Sequence, residues 1–147
     1  WVLHMLRQRL GDDKFWAGIR AYYRRFKDAS ASTADFRREM EQASGEGLSS
    51  FFSEWLYRGG VPRLAGTWSW DRAAQAVTLE MRQVQAGAPF RLTVEVAIQV
   101  PGGPARLERI EMTSASATAT FKANQEPTAL VLDPNVRLLA ATELSRR

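Results

Sequence analysis

Phe51-Phe52-Ser53-Glu54-Trp55-Leu56-Tyr57-Arg58-Gly59-Gly60-Val61-Pro62 is the stretch on which the fold turns. Upstream of it, apolar residues recur every three or four positions, the period of an amphipathic helix. Downstream, they recur every second position, the period of a half-buried strand. Gly59, Gly60 and Pro62 sit at the change. Glycine ends a helix at low steric cost, and proline cannot donate the next helical hydrogen bond.

Working back from this boundary, the spacing predicts about four helices. Leu48, Phe51, Phe52, Trp55 and Leu56 form the stripe of the fourth. Phe36, Met40 and Ala43 mark the third, which ends near Gly45 and Gly47. Ser32, with Asp35 three residues on, reads as a capping box built on Asp rather than Glu. The second helix carries Phe15, Trp16, Ile19, Tyr22, Tyr23 and Phe26, with Asp12 and Asp13 placed to cap its first N–H groups. Val2, Leu3, Leu6 and Leu10 form the first, stopped by Gly11. Arg24-Arg25-Phe26-Lys27, the densest basic stretch, falls at a helix C-terminus, where cations complement the helix dipole.

Working forward, Leu64, Gly66, Trp68 and Trp70 share one strand face, and Asp71-Arg72-Ala73-Ala74 makes a turn. Val77, Leu79 and Met81 alternate with polar residues. Phe90, Leu92, Val94, Val96, Ile98 and Val100 form the clearest strand, facing away from Arg91, Thr93, Glu95, Ala97 and Gln99. Residues 105–112 form a strand in which Leu107 and Ile110 fall on opposite faces, so a bulge is expected between them. Ala115, Ala117, Ala119 and Phe121 line the next. Thr128–Leu132 and Arg137–Ala140 are expected as the last two, around an Asp133-Pro134-Asn135 turn. The fold class is therefore α+β in two parts. A helical segment over 1–62 precedes an immunoglobulin-like antiparallel β-sandwich over 63–147.

Composition narrows the function. The 147 residues, 45% of them hydrophobic, suffice for one domain or two small ones. The net charge of +4 is spread evenly: residues 1–60 and 61–147 each carry ten Lys/Arg and eight Asp/Glu. With no basic face, nucleic acid is not an expected partner. The chain has no cysteine, hence no disulfide framework and no thiolate metal site. It contains no transmembrane segment. Because it opens at Trp1 inside a helical pattern, it is expected to be a fragment.

No residue is assigned a catalytic or metal-binding role, and no substrate-binding residue is assigned. A catalytic zinc takes about three protein ligands, and His4 is the single histidine. A Ser-His-Asp triad would need that same residue, and no G-x-S-x-G elbow is present. Asp12 and Asp13 are read as helix-start residues. Glu39 and Glu41 are placed on a polar face, pointing apart. Gly59-Gly60 lacks the lysine of a phosphate loop. Trp68 and Trp70 offer an aromatic face for sugar or peptide, although buried aromatics are routine in sandwich cores.

Trp1-Val2-Leu3-His4-Met5-Leu6-Arg7 resembles the helix after the Tyr-x-Lys-Gly-Ala segment of the aminopeptidase N-like family of zinc metallopeptidases. Phe15-Trp16 with Tyr22 or Tyr23, Thr33-Ala34-Asp35-Phe36, Ser44-Gly45, Phe52-x-x-Trp55 and Gly60-x-Pro62 follow in that family's order. The remainder is similar in architecture to the small β-sandwich domain that follows the catalytic domain in many members. The resemblance implies a parent enzyme that removes N-terminal residues from peptides, using zinc held by His-Glu-x-x-His and a distant Glu. It implies that residues 1–62 are the helical end of the catalytic region, inactive alone and without a cofactor of their own. The implied partners are the upstream catalytic lobe of the same polypeptide and the parent's peptide substrate. Self-association through apolar helix faces left bare is also expected. The alternative is a non-catalytic scaffold or interaction module of the same architecture.

Overall fold

The computed structural model describes residues 1–147, which divide into two compact units, Trp1–Gly60 and Val61–Arg147. The fold class is the expected one: helices first, then two packed sheets.

The first unit holds α1 (Val2–Leu10), α2 (Asp12–Phe26), α3 (Thr33–Ser44) and α4 (Ser49–Phe52), the last running on into a π-helical turn over Ser53–Tyr57. Gly11, at φ 77°, joins α1 directly to α2. Asp12 and Asp13 lie in the first turn of α2 but make no cap hydrogen bond. Asp12 instead accepts from the Arg7 guanidinium at 2.7 and 2.8 Å. The box at α3 forms in full. Asp35 N–H donates to Ser32 Oγ at 3.2 Å, and Ser32 N–H donates to Asp35 Oδ2 at 2.8 Å. Gly45, in the left-handed region at φ 72°, closes α3 by donating to the Glu41 carbonyl.

The helical core gathers Met5, Leu6, Leu10, Phe15, Met40, Leu48, Phe51 and Phe52. Gly18 is buried in the middle of α2, where α3 passes so close that a Cβ there would stand 2.4 Å from Met40 Sδ. This close approach turns α2 relative to its expected stripe. Trp16 and Tyr23 face solvent, while Phe15 and Gly18 face inward. On α1, Met5 takes the inward place expected of Leu3. Glu39, expected on a polar face, is buried and receives the Arg25 guanidinium at 2.7 Å. Arg25 itself stays largely in solvent. A buried carboxylate needs such a partner.

The second unit has seven strands: β1 (Arg63–Asp71), β2 (Ala76–Gln83), β3 (Leu92–Gln99), β4 (Arg106–Met112), β5 (Ser116–Lys122), β6 (Ala129–Leu132) and β7 (Ala141–Arg146). One sheet runs β5-β2-β1-β7 and the other β4-β3-β6. Four of the strand pairs are antiparallel; β1 and β7 are parallel, with Arg63 opposite Ala141 and Trp68 opposite Arg146. Leu64, Trp68, Val77, Leu79 and Met81 meet Val94, Val96, Ile98, Ile110, Met112 and Leu132 in the core.

Two strand expectations change. No bulge separates Leu107 from Ile110: the β3–β4 register runs unbroken from Leu92↔Met112 to Ile98↔Arg106, and Leu107 simply points to solvent. Residues 137–140 are not a strand. The chain crosses between sheets there, and pairing resumes at Ala141.

Candidate functional site

The most concave apolar feature of the helical unit is a 310 Å³ groove among α1, α3 and α4. Leu6 and Phe52, both fully buried, form its floor. Tyr22 and Phe36 form a wall, edge to face with ring centroids 5.1 Å apart, and Phe36 meets Phe52 in turn at 6.1 Å. Val2, Leu3 and Leu56 make the rim, with the Ala31-Ser32-Thr33 turn at one end. Leu3 is 53% and Leu56 46% exposed, and Trp1 and Tyr57, their chain neighbours in α1 and the π turn, are more exposed still. The helical spacing that predicted this stripe also gave its apolar character. That Leu3 and Leu56 are left open on the groove was legible only as an expectation of uncovered helix faces.

The groove offers apolar contact and little else. Its one titratable side chain is the Tyr22 phenol. Beside α1, the Asp12 carboxyl is held below the usual carboxylate range by the hydrogen bond from Arg7, whose own guanidinium is held above its ordinary value by the same contact. Arg7 also lies over the Trp16 ring at 5.5 Å. This cluster ties the start of α2 to α1 and is an exposed structural pair. His4 is exposed, with its ring 5.7 Å from that of Trp1. No group of three or more His, Cys, Asp or Glu side chains converges anywhere on a point suited to a metal ion. The donor set therefore does not fit a zinc centre.

In the sandwich, Trp68 is buried beneath the Arg146 guanidinium at 5.0 Å, and the Trp70 indole donates to the Ala123 carbonyl at 3.2 Å. Both rings are engaged within the unit rather than presented as an open platform. A 480 Å³ hollow lies between the Pro101–Pro104 loop and residues 122–125.

Residues 1–55 match the peptidase family M1 domain. Over 61 residues the chain is 36% identical to aminopeptidase N of Lactococcus lactis subsp. lactis, an alignment covering 42% of this chain and 7% of that protein. Against aminopeptidase N of Escherichia coli (strain K12) it is 28% identical over 88 residues, covering 60% of this chain and 10% of the relative. The puromycin-sensitive aminopeptidase of Caenorhabditis elegans is 30% identical over 82 residues, 56% of this chain and 9% of that one. The helical unit is an M1-family, aminopeptidase N-like segment. The whole M1-like chain also superposes on the crystal structure of Legionella pneumophila aminopeptidase A in complex with aspartic acid. The TM-score is 0.78 at 15% identity, covering 97% of this chain and 17% of that one, and this likeness extends the shared fold through the β-sandwich. The chain spans a tenth or less of the length of the curated relatives it matches.

Proposed function

We propose that this M1-like chain is part of a zinc-dependent aminopeptidase that removes N-terminal residues from peptides. In this reading residues 1–62 are the helical end of the catalytic region and residues 63–147 the β-sandwich that follows it. The observation that carries the reading is the match of residues 1–55 to the M1 peptidase domain. The chain acts as a helical support plus a spacer. Zinc and the catalytic groups are supplied by polypeptide preceding Trp1, since the donors here do not assemble a metal site. The apolar groove bounded by Leu3, Leu6, Phe52 and Leu56 receives that catalytic lobe. In its absence the bare face draws copies of the chain together.

The test is to read and express the coding sequence continuous with Trp1. A His-Glu-x-x-His motif upstream, with chelator-sensitive release of N-terminal amino acids, supports the reading. An upstream Lys-Gly-Ala segment without metal ligands or activity replaces it with a non-catalytic scaffold. The 147-residue chain alone is expected to be inactive with added zinc. Small-angle scattering is expected to show it self-associating at high concentration, and a dispersed monomer would count against the groove assignment.

A further inference from the structure

The sandwich holds one buried carboxylate, and it does not serve the core. Glu95 lies on the outer face of β3, 6% exposed. Its Oε1 accepts from Arg109 at 3.2 Å and Arg137 at 2.9 Å, and its Oε2 accepts from Asn135 at 2.9 Å. Its main-chain carbonyl accepts from Asp133 N–H at 2.7 Å. Three of these four ties reach the same segment, the crossover between β6 and β7.

That crossover is wound tightly. Asp133 and Val136 both adopt positive φ, 48° and 50°. For a β-branched residue such as Val136 this conformation is costly and persists only when the surroundings impose it. Here the Asp133 carboxylate accepts from the N–H groups of Arg137 and Leu138 at 2.8 and 2.9 Å, while Glu95 grips Asn135 and Arg137.

The strand beyond the crossover is lightly held. In β7 only Leu144 is drawn inward, over Gly66. Its remaining anchors are parallel pairing with β1, the stacking of Arg146 on Trp68, and exposed ion pairs from Arg146 to Glu126 and from Arg147 to Glu80. Parallel pairing is slightly weaker per residue, and exposed ion pairs contribute little. Segments with few buried apolar contacts open at low free energy.

We propose that residues 133–147 form a single latch that opens as one unit from the sandwich, with Glu95 as its catch. Lifting the latch relaxes the strained crossover and bares the β1 edge, whose free N–H and C=O groups can then pair with another extended segment.

Hydrogen exchange followed by mass spectrometry on the full chain tests this. In Glu95→Gln, peptides covering 133–138 and 139–147 are expected to exchange about tenfold faster, together, while β2 and β5 keep their rates. Glu111→Gln is the control: Glu111 lies on the same face, bonded to Thr93, and does not touch the crossover. It should leave both peptides unchanged. Val136→Asn, which tolerates positive φ, should slow both. Acceleration of 133–138 without 139–147, uniform acceleration of every strand, or no change in Glu95→Gln would overturn the proposal. If Glu95→Gln fails to fold, Asn135→Ala and Val136→Asn decide the matter. Opposite shifts shared by the two peptides support the latch, and shifts confined to one refute it.

Discussion

Gly18→Ala should destabilise the helical unit, although alanine is the better helix former. In a helix interior the exchange stabilises by about 1 kcal/mol when nothing stands in the way. Here the new methyl would lie 2.4 Å from Met40 Sδ, 3.0 Å from its Cε and 3.3 Å from its Cα. The sulfur end is flexible, but Met40 is fully buried and has no free space to swing into. The backbone contact can be eased only by moving α3 away from α2. Overpacking of this kind costs about 1–3 kcal/mol. The balance is a net loss of up to about 2 kcal/mol. Urea unfolding followed by the helical far-ultraviolet circular dichroism signal measures it, since that signal comes chiefly from the first unit. A double-mutant cycle isolates the cause. Met40→Ala alone should cost about 2–5 kcal/mol. In that background Gly18→Ala should turn stabilising, because the side chain it meets is gone. If Gly18→Ala stabilises the parent chain, or stays equally destabilising beside Met40→Ala, the close packing of α2 on α3 is not what glycine serves.

Three further outcomes are expected. The Gln83 side chain donates to the Phe90 carbonyl at 2.7 Å and accepts from Phe90 N–H at 2.8 Å. Gln83→Ala strips both buried bonds and should cost the sandwich about 2 kcal/mol, read from its denaturant midpoint. Hydrogen bonds from the Ser32 hydroxyl and N–H, aided by Arg38, hold the Asp35 carboxyl at about 2 against an ordinary 3.8. A depressed carboxylate stabilises above its unfolded value and loses that contribution as pH falls through its folded one. Asp35→Ala should therefore flatten the acid limb of helical stability between about pH 4 and 2, and an unchanged limb would refute the box as its source. The Asn135 amide, with Arg109 and Arg137, holds Glu95 below the usual carboxylate range. By the same sign, the sandwich should lose stability as pH drops through that lowered value. Glu95→Gln should remove this loss in a thermal unfolding series, and a titration that is identical in the variant would count against it.

Where the pattern of the chain carried physical information, it sufficed. The helix stripes, the Ser32–Asp35 box and the alternation of Leu92 to Ile98 are local, and each forms as expected. What escaped was set by distant partners. Periodicity ranks Glu95, Gln83 and Glu39 as solvent-facing because it cannot see a crossover, a loop or an arginine arriving to cover them. Ala141–Arg146 has almost no apolar content to announce a strand, and only the neighbouring β1 makes it one. Arg137–Ala140 has that content but spends it on the crossing. Gly18 looked like a tolerated interruption, because nothing in α2 tells how near α3 will come. The groove was half legible: the apolar stripe could be read, and which of its members stay uncovered could not.

The parallel pairing of β1 and β7 has a mechanical consequence. The polypeptide enters the sandwich at Arg63, opposite Ala141, and its last paired residue, Arg146, lies beside Trp68, roughly 17 Å further along at the rise of a strand. The two attachment points therefore lie at opposite ends of the same pair of strands. Tension applied between them pulls β1 and β7 past each other, so every inter-strand hydrogen bond is loaded at once. In an antiparallel terminal pair the same pull would peel the bonds apart one by one. The unit is thus built to bear load along its length.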